Sequence, residues 1–114
     1  MSGFSVTVLP DADGTTIMRL SGEADLSTTA LRDALTTEIA GNPRLLLVDL
    51  AALTFIDSGA TQMIIGAYHA LSLSGGTLAL IHPRAAVARV FELTGVSQVI
   101  PVYDNVNEAI AAVR

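Results

Sequence analysis

Asp57-Ser58-Gly59, between an apolar run and a stretch of helical spacing, is the segment of this chain where side-chain chemistry concentrates. The first turn of a helix carries backbone N–H groups without intrahelical partners and the positive end of the helix dipole. A phosphate added to a hydroxyl there is favoured, and it brings about −1.5 to −2 charges to one exposed turn. The same residue types also have a plainer use. Asp and Ser are the usual N-cap residues, and a helix starting here needs a cap. The local sequence leaves both uses open. Glu23 and Asp25 make a second constellation. If their loop shares a sheet edge with Ser58, they place carboxylates near the hydroxyl, able to orient a kinase's reacting groups or to repel a phosphate already added. The alternative is that Asp25 caps the first helix.

Several chemistries are missing. The chain contains no lysine, hence no Gly-x-x-x-x-Gly-Lys phosphate loop, and no Gly-x-Gly-x-x-Gly follows a strand. Ser58 follows Ile56-Asp57, so the nucleophile elbow Gly-x-Ser-x-Gly is absent, and a hydrolase built on Ser58 has no clear His partner. His69 and His82 are not at metal-ligand spacing from each other. They read as a partly buried helix residue and a helix cap. No cysteine is present for a disulfide or a thiolate site. The expectation is a chain with no metal, no cofactor and no catalytic residues, and so not an enzyme.

The net charge is −5 and all six basic residues are scattered arginines, which removes the electrostatic drive toward nucleic acid or an anionic membrane. The N-terminus lacks a signal-peptide pattern. The greasiest stretch, 63–73, is too short to span a bilayer. A soluble, cytoplasmic protein is expected, with no membrane insertion.

The elements that must position these residues follow from periodicity. Phe4, Val6 and Val8 alternate with polar neighbours as in a half-buried strand, Asp11-Ala12-Asp13-Gly14 turns, and 17–21 returns as a second strand. Gly22-Glu23-Ala24-Asp25 reads as a polar loop. Ser27 is placed as an N-cap, with Leu26 and Leu31 as a hydrophobic staple. Leu31, Leu35 and Ile39 mark one helical face, ended by Gly41 and Pro43. The unbroken run 45–48 suits a strand covered on both faces. A second helix runs from Asp57-Ser58 toward Leu73, with Ala60, Ile64, Ala67 and Leu71 on one face and Gly75-Gly76 as its stop. Residues 78–81 form another buried strand, and Pro83 opens a third helix with Val87, Val90, Phe91 and Thr94, ended by Gly95. Residues 99–103 read as an edge strand, because Pro101 cannot donate to a ladder on both sides. A last helix from Asp104 or Asn105 carries Val106, Ala109, Ile110 and Val113.

The order β-β-α-β-α-β-α-β-α predicts an α/β fold: a mixed sheet of about four to five strands with an antiparallel N-terminal hairpin, parallel inner strands and about four helices. Residues 1–114 read as a single domain.

Leu47-Val48-Asp49-Leu50 followed by Phe55-Ile56-Asp57-Ser58-Gly59 resembles the signature of STAS domains, the family named for sulphate transporters and anti-sigma factor antagonists. Three further segments agree in order and spacing: Gly22-Glu23-Ala24-Asp25-Leu26, the stretch 87–96, and Val102-Tyr103-Asp104 leading into Glu108-Ala109. The resemblance covers essentially the whole chain and implies a small sheet with helices mainly on one side. For a free-standing bacterial member it implies partner switching that controls transcription. The unphosphorylated protein binds an anti-sigma factor that is also a serine kinase, freeing a sigma factor. The kinase spends ATP, which it binds itself, on the serine of the signature, and a phosphatase restores the binding form. The phosphoacceptor so implied is Ser58, with Asp57, Glu23, Asp25, Gly59, Ala60 and Thr61 around it. Where the family has Ser, Thr or Ala, then Gly and an aliphatic residue, this chain has Gly59-Ala60-Thr61. An alternative within the family is an accessory subunit of a lipid or anion transporter, not switched by phosphate.

Overall fold

The computed structural model describes residues 3–11, 13–25 and 29–113. The proposed staple and cap at Leu26 and Ser27, and Ala12 of the first turn, lie outside them. The strands are β1 (Phe4–Pro10), β2 (Thr15–Ala24), β3 (Leu45–Ile56), β4 (Thr77–Ile81) and β5 (Val102–Tyr103). The helices are α1 (Thr29–Ala40), α2 (Ser58–Leu73), α3 (Ala85–Thr94), α4 (Val96–Val99) and α5 (Val106–Val113). The strands stand in the order β1-β2-β3-β4-β5, with β1 antiparallel to β2 and every other pair parallel. This is the expected mixed sheet and element order, with a one-turn helix, α4, added.

Successive right-handed crossovers that always move to the next strand keep their helices on one face. That face holds the main core, where Leu31 and Leu35 of α1, Ala60, Ile64, Ala67 and Leu71 of α2, and Val87 and Phe91 of α3 meet the sheet. The opposite face is covered by α5, whose Ala109 packs with Leu45, Leu47, Ala79 and Ile81. Leu46 and Val48 face one core while Leu45 and Leu47 face the other, which explains the unbroken apolar run.

Four expectations are corrected. Gly22-Glu23-Ala24 is the end of β2, and 49–55 is strand, because β2 and β3 pair in parallel as far as Ala24 and Ile56. Val99 belongs to α4, so β5 shrinks to two residues, with Pro101 lending only its carbonyl, to the Leu80 N–H. His82 caps nothing. It takes a left-handed φ of 58° and donates its N–H to the Tyr103 carbonyl, while the cap position of α3 falls to Arg84 and leaves Pro83 outside the helix. His69 is exposed, its ring edge-on to Tyr68. Gly95 ends α3 as expected, with a φ of 80° that favours glycine.

Candidate functional site

The site is carried on the outer half of β3, which reaches Ser58 through two bulges. From Arg19 to Ser21 on β2, the partner strand advances from Asp49 to Ala52, and from Gly22 to Glu23 it advances from Leu53 to Phe55. Each shift inserts one extra residue in β3. A bulge leaves ladder groups without strand partners, and here side chains supply them. At the first, the Ala51 N–H donates to Asp49 Oδ1 (3.0 Å) and the Ala51 carbonyl accepts from Arg84 Nε (2.7 Å). Asp49, only 6% exposed, pairs through Oδ2 with Arg19 Nε at 3.2 Å. At the second, Thr54 Oγ1 donates to the Gly22 carbonyl (3.0 Å). Gly22 has a φ of 93°, and a Cβ there would collide with the Gly3 carbonyl. Glycine at this point lets β1 approach the bulged pair.

The chain leaves β3 at Asp57 and enters α2. Asp57 is extended (φ −97°, ψ 176°), the geometry of an N-cap, and its Oδ1 accepts from the Ala60 N–H at 2.8 Å. Its own N–H donates to the Ala24 carbonyl (3.1 Å), tying the cap to the end of β2. Its carbonyl accepts from the Thr61 N–H (3.0 Å) and from Thr61 Oγ1 (2.7 Å). The capping oxygen therefore comes from Asp57. Ser58 is the first helical residue and is exposed, so its hydroxyl is not consumed by the cap.

Glu23 and Asp25 come to the same sheet edge as Ser58, since Glu23 stands opposite Phe55 and Ala24 opposite Ile56. Both acidic residues are exposed. The reading of Asp25 as the cap of the first helix turns on residues 26–28, which lie outside the described residues. Gly59 is half-buried beside the serine, whereas Ala60 and Thr61 are fully buried and support the turn from beneath without presenting surface. Sequence reasoning missed Phe55 as a surface residue. Its ring is 47% exposed, and only the second bulge turns it out. The one available signal was a glycine inside a strand, at Gly22.

Two clefts lie away from Ser58. One of about 270 Å³ runs between α1 and α2 beside Arg32, Met63 and Gly66, and another of about 520 Å³ lies by Tyr103 and Glu108. Among the described residues, no group of three His, Cys, Asp or Glu could hold a metal ion, and no helix is long and apolar enough to cross a membrane. The arrangement at Ser58 is an exposed hydroxyl-bearing residue on a capped turn beside carboxylates.

A family model described as the STAS domain matches residues 7–109. The anti-sigma F factor antagonist of Paenibacillus polymyxa is 30% identical over 94 residues, spanning 81% of this chain and 80% of that protein. The anti-sigma-F factor antagonist RsfB of Mycobacterium tuberculosis is 26% identical over 112 residues, 96% of this chain and 91% of its own length. Among solved structures, an anti-sigma factor antagonist from Mycobacterium paratuberculosis superposes with a TM-score of 0.87 at 30% identity, covering 98% of this chain and 95% of that one.

Proposed function

This chain belongs to the STAS domain family, and we propose that it is an anti-sigma factor antagonist whose binding is switched at Ser58. Its partner in this reading is a cytoplasmic anti-sigma factor that is also a serine kinase. Binding of the unphosphorylated chain frees a sigma factor. Transfer of phosphate from the kinase's ATP to Ser58 ends the complex, and a phosphatase resets it. The chain itself supplies a docking face and an acceptor hydroxyl, with no catalytic step of its own.

The observation that carries this reading is the division of labour at the helix start. Asp57 holds the cap, and Ser58 stands exposed on the same turn. A phosphate there meets the free N–H groups of α2, so the fold accommodates it. The partner meets roughly two new negative charges beside Glu23, Asp25 and Asp57. A charge placed inside a docking face weakens the complex while leaving the fold intact.

The test is to incubate the protein with the candidate anti-sigma factor kinase and ATP. A mass gain of about 80 Da is expected in the wild type and none in Ser58→Ala. A gain that persists undiminished in Ser58→Ala refutes the acceptor. Ser58→Asp is expected to bind the kinase at least tenfold more weakly, about 1.4 kcal/mol. Co-purification with a membrane permease in place of a kinase would favour a transporter subunit instead.

A further inference from the structure

Five aromatic residues occur in this chain, and Phe55 alone among them is exposed. Its exposure is built in. Leu53 is fully buried, and regular alternation would turn Thr54 out and Phe55 back into the core. The extra residue at the second bulge reverses this: Thr54 and Phe55 both face out, and Ile56 returns inward at 2% exposure. The Thr54 hydroxyl on the Gly22 carbonyl and the left-handed Gly22 fix the bulge. A phenyl ring gains more from burial than almost any other side chain, so a register that withholds it from the core acts against stability. Bulges recur beside functional sites, where they re-aim a side chain.

Leu73 and Leu93 are more exposed than Phe55, but they sit at the last residue of α2 and near the end of α3. Single exposed leucines at helix ends need no explanation. Phe55 instead stands on a strand paired on one side with β2, three residues before Ser58, with Glu23 directly across the ladder and Asp25 and Asp57 at the neighbouring strand ends. An apolar ring framed by carboxylates specifies the complement it fits.

We propose that Phe55 is the apolar anchor of the docking face at Ser58, entering a hydrophobic pocket on the anti-sigma factor whose rim carries Arg or Lys. This rests on the partner-switching reading above. An aromatic in a desolvated pocket, surrounded by charged contacts that exclude water, is the usual composition of an interface hot spot. Complementary charge at the rim sets the encounter rate.

The experiment titrates the purified candidate anti-sigma factor kinase calorimetrically with wild type, Phe55→Ala, Phe55→Leu and Ser58→Asp. Phe55→Ala is expected to weaken binding by about thirtyfold or more, and Phe55→Leu to recover most of it. The melting temperature of Phe55→Ala should stay within about 2 °C of wild type, because an exposed residue is removed. In the phosphorylation assay, Phe55→Ala should raise KM and leave kcat at saturation unchanged, since the ring does not touch the reacting atoms. Wild-type affinity should fall between about 50 mM and about 500 mM salt as the rim charges are screened. Wild type that binds while Phe55→Ala binds within about twofold of it overturns the anchor and leaves the partner-switching reading standing. Affinity unchanged by salt overturns the basic rim. Wild type that fails to bind the kinase at all overturns the partner-switching reading, and the anchor falls with it.

Discussion

Replacing Asp57 by alanine tests the division of labour on which the proposed switch depends. The substitution keeps the backbone bonds of residue 57, to the Ala24 carbonyl and from the Thr61 N–H and hydroxyl. It removes the 2.8 Å bond that Oδ1 accepts from the Ala60 N–H. Losing an N-cap side chain costs about 1 kcal/mol, within a range of about 0.5–2. Ala60 is fully buried, so its orphaned N–H cannot turn to bulk water and the cost moves up that range. Losing the carboxylate from the positive end of α2 adds about 0.3–1 kcal/mol. The sum is about 2 kcal/mol, or about 8 °C in Tm for a domain of this size. Asp57→Asn keeps an acceptor and should lose only about 0.5 kcal/mol. Ser58→Ala, at an exposed first-turn position, should stay within about 0.5 kcal/mol of wild type. Urea unfolding followed by circular dichroism, fitted with a shared slope, measures all three. The refuting result is a reversal: Asp57→Ala close to wild type and Ser58→Ala losing 1 kcal/mol or so. The Ser58 hydroxyl would then be the cap, tied into the fold, and the basis for an independent switch would be gone.

Two further substitutions probe the frame around the site. Gly22→Ala combines a left-handed φ of 93° with a collision against the Gly3 carbonyl, and should destabilise by about 2 kcal/mol or more, read as a lowered urea midpoint. A neutral result would mean that the bulged register is not what holds β1 against β2. Gly66→Ala, in the middle of α2 with nothing within 4 Å of an added Cβ, should stabilise by about 0.5–1 kcal/mol and raise the melting temperature. A lowered Tm there would show that the groove beside α1 is tighter than it stands in this structure.

Where order is set locally, the sequence was a good guide. Ala60, Ile64, Ala67 and Leu71 recur at helical spacing because one face of α2 packs on the sheet, and all four are buried. The apolar run at the start of β3 marked a strand covered twice. What was misread depends on partners distant in sequence. Gly22-Glu23-Ala24 has the composition of a turn and becomes strand only because β3 extends beside it, 32 residues away at the Thr54–Gly22 bond. The exposure of Phe55 follows from a one-residue shift in pairing, which no periodicity of its own strand displays. Val99, read as the start of the last strand, instead ends the turn of helix Val96–Val99 that follows Gly95 and leads into the buried Ile100 before β5. Two adjacent capping residues also look alike in sequence. Which of them caps is decided by the backbone, and an extended Asp57 settles it.

A switch at Ser58 would act by charge rather than by shape. Several bonds among the described residues anchor Asp57: its N–H to β2, its carboxylate to Ala60, and its carbonyl to both groups of Thr61. The strand before it is pinned at Ala51 by Asp49 and Arg84 and at Thr54 by Gly22. Among the described residues, the turn that carries Ser58 is already held by these bonds before any phosphate is added. A phosphate there adds to the acidic edge formed by Glu23 and Asp25 while the helix terminus offsets part of its cost to the fold. The antagonist would then lose its partner with its own structure nearly unchanged, and the free energy of switching would reside in the interface. Such a device needs a rigid platform, and the side-chain bonds at both bulges of β3 supply one.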